Sequence, residues 1–169
     1  MHAAVATPRL TRVEEAKRIV LEQAAPLGVD HVALTASLGR VLAKDLMAEV
    51  DLPPFDNSAM DGYALRSSDA MEATADRPVT LRLVGEVAAG DVLDRRLGRG
   101  EAAKIMTGAP LPPGADSVVM VEQARLRDGL VELRSPVPPG SHLRKAGEDI
   151  EVGTTVLTAG TRVRLQHLG

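Results

Sequence analysis

From Asp51 onward glycine and proline return at short intervals, and most of the 15 glycines and 11 prolines lie in that stretch. Glycine opens backbone angles that other residues resist, and proline removes a hydrogen-bond donor, so long helices do not survive such punctuation. Between the breaks lie short apolar, β-type runs: Val79–Val84, Ala102–Met106, Ser117–Val121, Leu130–Leu133, Thr154–Leu157 and Arg162–Leu165. Short strands with frequent turns predict a barrel or coiled sheet and not alternating βαβ layers. The unit so defined runs from about Val50 to about Ile150.

Before Asp51 the pattern is different. Thr11-Arg12-Val13-Glu14 has the form of a capping box, with Thr11 as N-cap. Val13, Ala16, Val20 and Ala24 follow at helical spacing, which predicts an amphipathic helix from about Arg12 to Ala25, stopped by Pro26 and Gly28. Ser37–Ala43 is ambiguous and reads as a short helical turn running into a strand. At the other end, Leu165 and Leu168 are three apart, as a helix would begin, but the chain stops after barely one turn. A frayed terminus and a chain cut inside an element both fit that tail.

Composition narrows the function classes. The chain of 169 residues is 44% hydrophobic, and Phe55 and Tyr63 are its only aromatics. Its core must therefore be aliphatic, and no aromatic platform is available for stacking nucleobases. A net charge of -3 and a pI near 5.8 argue against nucleic acid and against an anionic membrane as partners. Without cysteine there is no disulfide, thiolate metal site or thiol nucleophile. No signal peptide and no apolar run of the roughly 20 residues that span a bilayer are visible, so the expected location is cytoplasmic.

Three loops carry most of the polar chemistry. Pro53–Tyr63 sets Asp56, Asn57, Ser58 and Asp61 on a proline-stiffened segment, a donor set suited to magnesium shared with phosphate or to orienting a polar substrate. Ile105–Gly114 places Thr107 where a strand opens into a turn. Leu143–Asp149 joins Arg144 and Lys145, which suit an oxyanion, to Glu148 and Asp149. Composition alone favours solvated turns at all three. Gly98-Arg99-Gly100 opens a dinucleotide-type glycine pattern with no helix behind it. His2, His31, His142 and His167 lack metal-ligand spacing.

The run PPFDNSAMDGYAL changes that balance. It closely resembles the signature of the molybdopterin molybdenumtransferase family, the MoeA and gephyrin-type molybdenum insertases. GRVLAKDL before it, and KIMTGAPLPPGADSVVMVE and RKAGEDI after it, fit in the family's order. The resemblance covers the chain from Thr11 onward but less than half of a typical member. It leaves out the pterin-binding α/β domain and a small C-terminal β domain. It implies an α+β, mostly β fold. An elongated, discontinuous domain (1–49 plus 151–169, cut short) would carry an inserted β-barrel-like domain (50–150).

The same resemblance implies the chemistry. Molybdenum from molybdate enters adenylylated molybdopterin, with AMP released and magnesium as cofactor. Asp61, Thr107 and Asp149 become the expected catalytic positions, with Thr107 giving a hydrogen bond. Arg144, Lys145, Ser58 and Asn57 become substrate or oxyanion contacts, and Asp61 and Asp149 metal ligands. A homodimer is expected, with molybdopterin adenylyltransferase as a further partner, and the chain alone is expected to be inactive. Two other classes remain open: a non-catalytic dimerisation or scaffold module, and a stand-alone small-molecule binder.

Overall fold

A computed structural model describes residues 10–25 and 27–168. His2, Pro26 and Gly169, which entered the sequence reading, lie outside the described residues. The chain divides into two compact units, Met1–Ala43 with Ala159–Gly169, and Lys44–Thr158.

The first unit holds helix α1, Val13–Gln23. Arg12 is its N-cap and no side chain caps it, so the predicted Thr11 capping box does not form. Glu14 and Glu15 still favour the positive end of the helix dipole, and Arg18 bridges Glu15 and Glu22 at 2.7 and 2.6 Å. None of the helix residues is buried: Val13, Ile19, Val20 and Leu21 all stand exposed. Leu34–Ala36 forms a 3-10 turn, and Val41 makes a single bridge to Arg162. The predicted strand Arg162–Leu165 is that one bridge followed by a second 3-10 turn, Leu165–His167. Among the described residues no helix is long and apolar enough to cross a membrane.

The second unit is built of strands. β1 (Leu46–Met47) pairs antiparallel with β10 (Thr155–Leu157), and β2 (Asn57–Ser58) with β9 (Leu143–Arg144). The remaining strands are β3 (Gly62–Leu65), β4 (Val79–Val87), β5 (Glu101–Ile105), β6 (Ser117–Met120), β7 (Ala124–Arg127) and β8 (Leu130–Leu133). They form one curled half-barrel sheet in the order β6-β3-β5-β4-β8-β7. Its outer strands, β6 and β7, do not pair with each other, so the barrel stays open. Only the β4–β5 pairing is parallel within it.

Both faces of the sheet's β3–β5–β6 part are covered. Tyr63, Leu65, Ala102 and Val119 enter one apolar cluster, with Leu81, Val131 and Leu133. Ala64, Ala103, Ile105 and Val118 enter the other, with Val87 and Leu97. A strand buried on both faces has no reason to alternate polar and apolar residues. β4 serves both clusters because its register shifts between Leu83 and Glu86, which turns Val87 to the second face.

Candidate functional site

The signature loop lies between the other two polar loops. Leu52 and Ile150 pair at its entry, with N–H to O distances of 2.8 and 3.1 Å, and the Gly147 N–H donates to the Pro53 carbonyl at 3.0 Å. Next comes β2, which is held from two sides. On one side Asn57 stands opposite Arg144 and Ser58 opposite Leu143. On the other, the Ser58 N–H donates to Ala109 O at 3.1 Å and Gly108 N–H to Ser58 O at 2.8 Å. The loop ends in β3, where Gly62 lies against the Val119 carbonyl. A Cβ at position 62 would stand 2.0 Å from that oxygen. Glycine is required here by close approach, not by an unusual φ.

Asp61 occupies the last position before β3 and is exposed. Its Oδ1 accepts the Thr107 backbone N–H at 2.8 Å and the Thr107 hydroxyl at 2.7 Å. These two bonds, the backbone one foremost, hold the Asp61 carboxyl below its ordinary pKa, and the Lys104 ammonium lowers it further. The other oxygen, Oδ2, accepts no hydrogen bond among the described residues. Because the single proton of Thr107 goes to Asp61, the hydroxyl presents only lone pairs outward.

Asn57 and Ser58 are buried, at 5% and 0% exposure. The Ser58 hydroxyl donates to Met60 O at 2.5 Å, and the Asn57 amide donates to Phe55 O at 3.3 Å. Both side chains therefore serve the loop's own backbone. In the third loop Lys145 donates from Nζ to Asp56 Oδ2 at 2.6 Å, while the Ala146 N–H reaches Asp56 Oδ1 at 2.9 Å. The Lys145 ammonium, followed by the Ala146 N–H, holds the Asp56 carboxyl below its usual range. Arg144 and Asp149 are exposed, and neither side chain has a hydrogen bond or ion pair among the described residues. Asp149 donates only its backbone N–H, to Leu52 O at 2.9 Å.

Sequence reasoning missed Lys104 beside Asp61, and it missed the pairing of Asp56 with Lys145. Asp56 was visible inside the signature, but nothing local pairs it with a lysine 89 positions away. No group of three or more His, Cys, Asp or Glu among the described residues is arranged to hold a metal. His31 lies in the first unit, and His167 Nδ1 accepts the Arg164 N–H at 3.3 Å. Asp61 Oδ2 and the Asp149 carboxylate are exposed oxygen donors with no hydrogen bond among the described residues. Such a set fits a magnesium that keeps most of its waters or takes phosphate oxygens, and does not fit an all-protein cage.

Comparison with known proteins decides the family. The MoeA N-terminal region (domain I and II) matches residues 11–169. The chain belongs to the MoeA N-terminal-region family. It is 44% identical to a molybdopterin molybdenumtransferase of Synechococcus elongatus over 82% of the chain and 34% of that protein. It is 42% identical to molybdopterin molybdenumtransferase 2 of Mycobacterium tuberculosis over 93% of the chain and 39% of the relative. The crystal structure of the molybdopterin biosynthesis moeA protein from Pyrococcus horikoshii superposes with a TM-score of 0.88 at 36% identity. That match covers 95% of this chain and 42% of the other. The chain thus spans little more than a third of the length of the curated MoeA relatives it matches. It corresponds to their N-terminal portion, as the signature resemblance implied.

Proposed function

We propose that this chain forms the signature-loop wall of a molybdopterin molybdenumtransferase site. There, molybdate-derived molybdenum enters adenylylated molybdopterin and AMP departs. The observation that carries the reading is the convergence of three distant loops on β2 and Asp61, through the Asp61–Thr107 bonds and the β2–β9 pairing. Asp61, Thr107 and Asp149 are the polar contacts to substrate. Arg144, whose charge has no partner among the described residues, takes an anionic oxygen. Lys145, Asn57 and Ser58 shape the loops that present them. Asp61 Oδ2 or Asp149, together with water or phosphate, would hold magnesium, which would supply charge neutralisation for anionic oxygens. Thr107, with its proton committed, accepts a hydrogen bond from substrate or from a metal-bound water.

The remaining two-thirds of the curated relatives supply the pterin-binding side. In this reading the chain alone is inactive, and it works as a cytoplasmic homodimer fed by molybdopterin adenylyltransferase. The test is molybdate-dependent AMP release from adenylylated molybdopterin, comparing this chain with one extended to the length of the relatives. Release by the extended chain alone supports the reading. Release by neither, with both folded, favours a dimerisation or scaffold module, to which the exposed apolar residues of α1 are suited.

A further inference from the structure

Arg144 is the last residue of the two-residue strand β9, and a residue at a strand end holds an anion well only if the backbone on both sides of it is held. The fastening before Arg144 is the β2–β9 pair, in which Arg144 itself stands opposite Asn57. Immediately after Arg144 the fastening changes from backbone to side chain. Asp56, the neighbour of Asn57, spends both oxygens there: one on Lys145 Nζ at 2.6 Å, the other on the Ala146 N–H at 2.9 Å. Two further bonds close the turn behind it, from the Lys145 N–H to Glu148 Oε2 at 2.9 Å and from the Glu148 N–H to Lys145 O at 3.1 Å. Two cations stand side by side, yet among the described residues only the Lys145 charge has a partner.

We infer that Asp56 is a positioning residue: by gripping Lys145 and Ala146 it sets where Arg144 stands, and Lys145 is the far half of that grip instead of an anion contact. The inference rests on the proposed role of Arg144 and adds what that role requires. A lone strand pair of two residues per side leaves the following residues free to swing. The Asp56 carboxylate removes that freedom at positions 145 and 146, between β9 and the Gly147 N–H bond to Pro53 O, over a sequence separation of 89 residues. The arrangement also keeps Arg144 available. With both oxygens taken by Lys145 and Ala146, the Asp56 carboxylate is not free to capture the arginine.

The test uses the chain extended to the length of its relatives, with Asp56→Asn, Lys145→Met, Arg144→Ala and the double variant Asp56→Asn/Arg144→Ala. Asp56→Asn and Lys145→Met cut the same bond from its two ends, so one remains informative if the other misfolds. Each is expected to raise KM for molybdate about tenfold, within the roughly hundredfold that a misplaced contact can cost. For each, kcat should stay within about twofold, the pattern of lost binding without lost chemistry. Adding Asp56→Asn to Arg144→Ala should change KM no further. An additive effect, or an unchanged KM in both single variants beside a raised one in Arg144→Ala, overturns the inference. If Arg144→Ala itself leaves KM unchanged, the anion role of Arg144 is wrong. Amide exchange at Ala146 then decides the grip separately: faster exchange in Asp56→Ala supports it, and unchanged exchange overturns it.

Discussion

Among the glycines of the second unit, Gly62 is the one where an added methyl group should do the most damage. Real Cβ atoms essentially never come within 3.0 Å of another heavy atom, and here the Val119 oxygen is at 2.0 Å and its carbon at 2.9 Å. The shortfall is about 1 Å and it is against backbone, so no rotamer change relieves it. β6 must withdraw from β3. The Asp61–Val121 bond, 3.1 Å long, lies at that junction together with the Gly62–Met120 pair. Overpacking costs about 1–3 kcal/mol, and each lost backbone hydrogen bond about 1 kcal/mol more. The expected loss is therefore about 3 kcal/mol or greater, which lowers Tm by roughly 10 °C in a unit of this size. Thermal unfolding followed by far-UV circular dichroism measures it. Gly85→Ala is the control, because its Cβ meets only the tip of the Leu93 side chain, at 2.9 Å, which can turn away. A Gly62→Ala protein melting within about 3 °C of the parent would refute the packing argument.

Two further outcomes follow from the site. The Asp61 pKa is lower folded than unfolded, so its stabilisation is present above the unfolded carboxylate value and lost as pH falls through the lowered one. Urea unfolding from neutral pH into the carboxylate range should show Asp61→Asn losing less stability than the parent over that fall, and identical acid limbs would count against the Thr107 bonds. Ser58→Ala removes a fully buried hydroxyl from Met60 O. It should lower unfolding stability by about 1 kcal/mol with an unchanged denaturant slope; no change would mean that the bond contributes nothing net.

What the sequence made legible depended on how many faces of an element are buried. Leu130–Leu133 was readable because it follows the alternation of a strand covered on one side, Val131 and Leu133 inward and Leu130 outward. Gly62–Leu65 was not, because both of its faces are covered and Tyr63-Ala64-Leu65 therefore shows no polar-apolar alternation. β7 was missed because Arg125 and Arg127 on an outer strand look like turn residues to a hydrophobicity pattern. Helix α1 was found from its spacing, but its start was misplaced, since Thr11 has the right chemistry for a cap and makes no such bond. The three loops of the site were each visible as polar punctuation. That Asp61 would meet Thr107, and Asp56 would meet Lys145, was not, since a side-chain bond across 46 or 89 residues leaves no local periodicity.

Those separations also set a clock. During synthesis, roughly 5–20 residues are added each second, so Asp56 leaves the peptidyl-transferase centre roughly 4–18 s before the Lys145 that it must grip, 89 positions later. Asp51 waits longer, for the Val152 amide 101 positions on. A nascent chain halted after β8 would already contain every strand of the six-stranded sheet, and with it the Asp61–Thr107 contact, but β2 and Asp56 would still lack β9 and Lys145, their partners. The sheet is thus the early product of translation and the assembled wall the late one.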